Sequence, residues 1–443
     1  MKTLLKNGFL FTGGLEPVRQ ELLVEDGRIS ALLPPGTAVE AQEVCDLQGR
    51  AVIPGFVQTH VHLCQVLFRG RADDLALLDW LRTRIWPYEA AHDEESTYLS
   101  ALLGCMELLA GGVTSVCVME SVRHAASTAQ AMEETGIRGV FGKAMMDYTD
   151  TPDALGGMPE VFLETTEQSL ERSLALMRRW HGAAGGRIRY AFMPRGILTT
   201  SEELLGELRK LSEEYGVLVH THACETEPES RLVERHRGLT EIKYLHRLGL
   251  TGERLLLAHC LCVDDEDVEI LRSTGTGVAS CPLANLKLAS GIAPLQRMHD
   301  ARVQLSLGSD GAPCNNNLDM FQEMKYAALL QKGVSHDPTR MPAETVFRMA
   351  TEGGARALGM EDAGLLAPGM RADLAVVDLD RREIAPAPPS LSALVYSGNP
   401  GVVTDTMVDG RWVYRDGIFP RIDERAVRAR ARDAAERVLA RIP

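Results

Sequence analysis

The sequence contains no run of 18 apolar residues, so nothing in it reads as a membrane-spanning helix. It has no excess of positive charge: 47 Lys and Arg stand against 61 Asp and Glu, a net charge of −14. That balance excludes the basic footprint of a nucleic-acid binder and argues against an anionic membrane as partner. Nine cysteines are scattered without framework spacing, and Cys260-Leu261-Cys262 is too tight for a zinc-ribbon pair. Residues Met1 to Asn7 lack the apolar core of a signal peptide. With the odd cysteine count, this predicts reduced thiols and a cytoplasmic location. There is no low-complexity tract and no Gly/Ser linker. What remains is a 443-residue chain whose 45% hydrophobic content is ordinary for a large globular core.

Both ends of the chain read as β-hairpins. Leu22 to Leu32 is two apolar runs around Asp26-Gly27, and Val408 to Val413 surrounds Asp409-Gly410. Asp373 to Leu379 reads as a buried strand. Two β segments at opposite ends can pair into one small sandwich, so residues 1–53 plus 362–422 are expected to form a β-sandwich domain. Residues 423–443 are expected to form a solvated Arg/Ala/Glu-rich helix. The middle, residues 54–361, alternates helices such as Leu99–Ala110 and Glu202–Tyr215 with short apolar strands. Over about 300 residues this alternation predicts an α/β fold of the (β/α)8 TIM-barrel type, with a doubly wound sheet as the alternative.

The polar residues fall at the ends of those strands, where barrel chemistry sits. His60 and His62 end the first candidate strand, and residues i and i+2 of an extended chain share a face. His222 and His259 end central strands and Asp310 ends a late one. His60, His62, His222 and Asp310 mix nitrogen and oxygen donors and leave room for a water, as a catalytic zinc site requires. Coordination lowers the pKa of water towards neutrality and creates a hydroxide nucleophile. Glu225, three residues beyond His222, is the expected general acid/base. His259 is expected across the site, steadying developing charge, and Asp310 to bind metal and accept a proton. Cys64, Cys224, Cys260 and Cys314 flank these motifs and are read as small buried hydrophobes rather than thiolates.

These residues sit in longer stretches: Pro54-Gly55 through His62, Leu67-Phe68-Arg69-Gly70, Trp80-Leu81, Ile85-Trp86-Pro87-Tyr88-Glu89, His222-x-x-Glu225, Ala258-His259-Cys260 and Gly308-Ser309-Asp310-Gly311. Through them the chain resembles the amidohydrolase superfamily, in its ATZ/TRZ-like branch of aminohydrolases acting on heteroaromatic rings. It is most similar there to 5′-methylthioadenosine/S-adenosylhomocysteine deaminases. The resemblance implies a metal-bearing barrel with a composite sandwich, one Zn2+ per subunit (Fe2+ or another divalent metal as alternative), a small heteroaromatic substrate and a homo-oligomer such as a homodimer. It implies hydrolytic loss of ammonia or a similar leaving group from an amino-substituted purine, nucleoside or related ring.

The same resemblance assigns Glu89 to the ribose hydroxyls and adds Trp80 to the substrate contacts. The chain departs from the group at Pro194-Arg195, where a His is usual. Arg195, a donor only, favours a ring with a carbonyl or other acceptor. A guanine/pterin-type deaminase or an s-triazine hydrolase is therefore the alternative, and a catalytically silent binding protein the reading outside this class. Lys143 is the one candidate for a metal-bridging carboxylated lysine, and a lining or structural role is expected instead.

Overall fold

The computed structural model describes residues 1–14, 16–148 and 156–442. Its first sheet is built from both ends of the chain. β1 (Lys2–Leu10), β2 (Val18–Glu25), β3 (Arg28–Leu33), β4 (Glu43–Asp46) and β5 (Ala51–Pro54) come from the N-terminal part. The β2–β3 turn has positive φ at Asp26 (50°) and Gly27 (81°), as a tight two-residue hairpin requires. β5 continues through Gly55 into β6 (Phe56–Val61). A Cβ at Gly55 would lie 2.1 Å from Thr114 Oγ1, so only glycine lets the chain pass there.

The middle of the chain supplies β7 (Val113–Glu120), β8 (Arg138–Met145), β9 (Ile188–Tyr190), β10 (Met193–Pro194), β11 (Val219–Ala223), β12 (Leu255–His259), β13 (Gly277–Ser280) and β14 (Gln304–Leu307). β6, β7, β8 and the β9–β10 pair are parallel neighbours, as are β11 to β14. Phe192 bridges Val219 in parallel on one side. On the other side Thr59 Oγ1 donates to Leu307 O at 2.8 Å, and Asp310 N donates to His60 O at 3.0 Å. The arrangement is the (β/α)8 barrel, not the doubly wound sheet. Its strands are almost wholly buried because helices cover their outer faces.

Local signals explain most helix boundaries. Glu202–Tyr215 begins where Ser201 accepts the Leu204 N–H and ends at Gly216 with φ 65°. The helix expected from Leu99 starts five residues earlier, at Glu94, because Asp93 and Ser96 form a capping box. The chain then returns to the first sheet with β15 (Leu374–Val377), β16 (Val403–Val408) and β17 (Arg411–Arg415). β15 pairs antiparallel with β5, from Leu374↔Pro54 to Val377↔Ala51. The final helix, Glu424–Leu439, is not solvated all round: Ala431, Ala434 and Val438 are buried against Leu67, Phe68 and Leu99. Pro443 lies outside the described residues. Among the described residues, no helix is long and apolar enough to cross a membrane.

Candidate active site

The metal-type donors meet at the C-terminal pole of the barrel. His60 lies within β6 and His62 just beyond it, His222 lies in β11, and Asp310 follows β14. His60 Nε2 is 3.4 Å and His62 Nε2 3.3 Å from Asp310 Oδ1, and His62 Nε2 is 3.3 Å from His222 Nε2. Cys224, His259, Cys260 and Asp310 all carry positive φ between 51° and 76°. Left-handed backbone at non-glycine residues is held by its surroundings and concentrates at functional sites.

The other ring nitrogen of each ligand candidate is already committed. His62 Nδ1 lies 2.8 Å from Met119 O and His222 Nδ1 2.6 Å from Arg195 O; a carbonyl only accepts, so both nitrogens carry the proton. His220 Nδ1 is likewise 2.9 Å from Leu256 O, which leaves His220 Nε2 to accept from His60 Nδ1 at 2.7 Å. The network therefore assigns Nε2 as a lone pair in the neutral rings of His60 and His222, whereas at His62 the Asp310 carboxylate 3.3 Å away outweighs burial and raises the imidazole. His62 Nε2 and His222 Nε2, 3.3 Å apart beside the Asp310 carboxylate, need a proton or a metal cation between them. Among the described residues His60 Nε2 has no hydrogen-bond partner. Burial holds His60 down at about 4 and His222 well below its ordinary value, so both stay neutral. The donor atoms form two metal-type clusters that share His60, one of His60, His62 and Asp310 and one of His60, His222 and His259, each with its atoms within 4.8 Å of one another and each suited to a divalent metal.

Glu225 follows β11, is 5% exposed, and has Oε2 3.5 Å from His259 Nε2. Burial, then the charge of Asp310, pushes its carboxyl up to about 8. His259 Nδ1 is 2.9 Å from Asn285 Oδ1, which orients the ring. A cleft opens to solvent beside these groups, with about 670 Å³ of space not filled by atoms when the open solvent at its mouth is included. Trp80 and Arg195 line it, as do Gln65, Trp86 and Glu229.

Glu89 is not among the residues lining the cleft. It is buried behind them, where its carboxylate accepts two bonds from Arg195, Nη1 to Oε2 at 2.6 Å and Nη2 to Oε1 at 3.1 Å. Gln65 Nε2 adds a third at 2.8 Å. Lys143 donates to Glu164 Oε2 at 2.6 Å and to Ala144 O, and belongs to neither metal-type cluster. Burial pushes the Cys64, Cys224, Cys260 and Cys314 thiols up, so they stay protonated.

Sequence reasoning missed His220, although His220-Thr221-His222 repeats the His-x-His signal of β6. It also missed Gln65 and Asn285, which sit on short helical segments and meet Glu89 and His259, 24 and 26 residues away.

The description "Amidohydrolase family" belongs to a family model that matches residues 51–413. The 5′-deoxyadenosine deaminase of Methanothermobacter thermautotrophicus is 42% identical over 429 residues, 96% of each chain. The 5-methylthioadenosine/S-adenosylhomocysteine deaminase of Thermococcus onnurineus is 39% identical over 417 residues, 94% of this chain and 95% of that one. A crystal structure of an adenosine deaminase from Xanthomonas campestris with bound zinc superimposes with a TM-score of 0.92 at 31% identity, covering 99% and 98%.

Proposed function

The chain belongs to the amidohydrolase family, and from that premise we propose that it hydrolytically deaminates an adenosine-type nucleoside in a zinc-dependent reaction. The observation that carries this reading is the convergence of His60, His62, His222 and Asp310 beside the buried carboxyl of Glu225. A zinc ion held by those four residues would supply the Lewis acidity that makes water nucleophilic near neutral pH.

The chain's own groups then move the protons. In its ionised form Glu225 takes one proton from the attacking water through Oε2 and delivers it to the ring nitrogen beside the attacked carbon. The water oxygen bonds to that carbon. Asp310 takes the second proton, which leaves with the amino nitrogen as ammonia when the C–N bond breaks. His259, fixed by Asn285, faces the reacting centre and steadies the charge that develops there. Trp80 and Trp86 provide apolar faces for the ring.

A second reading, a guanine/pterin-type deaminase or s-triazine hydrolase, is favoured by Arg195 in the cleft wall. The Glu89 carboxylate that occupies its guanidinium weighs against it. The division into residues 1–53 plus 362–422, 54–361 and 423–443, a homo-oligomeric state and a cytoplasmic location accompany this reading as proposals. The pairing of β5 with β15 supports the first. The zinc-loaded protein is expected to release ammonia from 5′-deoxyadenosine or 5′-methylthioadenosine. Release only from carbonyl-bearing rings such as guanine would replace the adenosine reading with the second.

A further inference from the structure

Glu241 opens the helix Glu241–Arg247 and is buried. It does not line the cleft and belongs to neither metal-type cluster. Among the described residues, the side-chain bonds it accepts all come from uncharged groups. A carboxyl buried on such terms is costly, so what it holds matters. Its Oε1 accepts the Cys224 N–H at 3.3 Å and the Ser230 hydroxyl at 2.9 Å. Its Oε2 accepts only the weak Cys224 S–H, at 3.5 Å. Cys224 has φ 54° and stands between the end of β11 and Glu225. The Cys224 carbonyl is held from the other side, by the N–H groups of Leu261 at 2.8 Å and Cys262 at 3.0 Å, just past the end of β12.

We propose that Glu241 is a positioning residue for the reaction: by holding the Cys224 N–H it keeps the left-handed turn that aims Glu225 at the reacting centre. The inference rests on the role of Glu225 proposed above. Left-handed backbone is strained at a residue with a Cβ and persists only where the surroundings hold it. With the N–H released, Cys224 is free to return to extended backbone. Glu225, the next residue, would then swing away from His259 Nε2, which its Oε2 now faces at 3.5 Å. A displacement of about 1 Å at a reacting group is enough to cost roughly 100-fold in rate. Ser230 steadies the same oxygen from the helix Glu227–Arg237, so the end of β11 and two helices meet on Glu241 Oε1.

Two substitutions test this. Glu241→Met keeps the bulk and removes the acceptor. Glu241→Gln keeps an oxygen for the Cys224 N–H and gives up only the weak thiol contact. Both are zinc-loaded, their bound zinc is counted, and kcat and KM are measured on 5′-deoxyadenosine, or on guanine if that is the ring the unaltered protein turns over. Glu241→Met is expected to lose roughly 10- to 100-fold in kcat, with KM within about twofold and zinc retained. Glu241→Gln should recover most of that loss. Unchanged kcat in Glu241→Met, an equal loss in Glu241→Gln, or a loss of zinc matching the loss of activity would overturn the inference while leaving the deaminase reading intact. No ammonia from either ring with the unaltered protein would remove that reading and the inference with it. If Glu241→Met does not fold, Ser230→Ala decides. With one of the two donors gone from Oε1, kcat should fall roughly threefold or more at constant KM; an unchanged kcat would overturn the inference.

Discussion

His220 Nε2 accepts the Nδ1 proton of His60 at 2.7 Å, and through that one bond a residue that is not itself a ligand candidate fixes which nitrogen of His60 faces the cluster. His220 is in turn anchored on the Leu256 carbonyl. Removing it frees the His60 ring to rotate and to change tautomer. Outer partners of ligating histidines are typically worth roughly 10- to 100-fold in metal affinity. His220→Ala is expected to weaken zinc binding by roughly that factor in a chelator competition, while activity per bound metal falls less. Unchanged affinity would mean the ring is held by packing alone.

The Glu89–Arg195 pair should behave as a coupled unit in stability. Removing one partner of a buried pair leaves an uncompensated charge and costs roughly 3–5 kcal/mol. Arg195→Met is expected to destabilise in that range. Glu89→Gln should cost less, because Arg195 borders the cleft and water reaches it. The double variant should be clearly more stable than the sum of the two losses predicts, as read from denaturant midpoints in a double-mutant cycle.

Glu120 ends β7 with one oxygen accepting the Cys64 N–H and the other buried without a hydrogen-bond partner among the described residues. Burial raises its carboxyl from the ordinary 4.5 to about 7. A raised carboxylate binds its proton more tightly in the folded state, so its contribution to stability falls as pH rises between about 4.5 and 7. Glu120→Gln keeps the acceptor and removes the charge. The metal-loaded variant should match the unaltered protein near pH 4.5 and exceed it by up to roughly 3 kcal/mol at about pH 7 and above. Thermal midpoints across that range check the sign; a gap that widens towards acid would contradict it.

Much of the fold and of the site is legible in the sequence alone. The His-x-His of β6, the histidines ending β11 and β12 and the aspartate after β14 are each set by local sequence, because a strand end aims its last side chains at the barrel pole. The Asp-Gly hairpins need only φ preferences. What is not legible depends on pairs distant in sequence. The motifs that hold Glu89 and Arg195 lie 106 residues apart, and each by itself points to a substrate contact. Nothing local says that one neutralises the other. His220 is hidden differently: its spacing from His222 is plain, but its bond to His60 spans 160 residues. The tail helix reads as solvated because its apolar stripe is only alanine and valine.

In the proposed reaction Glu225 carries protons while other residues hold the metal. The most direct test of this is Glu225→Gln, assayed for bound zinc and for ammonia release from 5′-deoxyadenosine. Full zinc occupancy with kcat reduced by roughly 10³-fold or more is expected. A zinc-loaded Glu225→Gln protein that turns over at a rate close to the unaltered chain would contradict it.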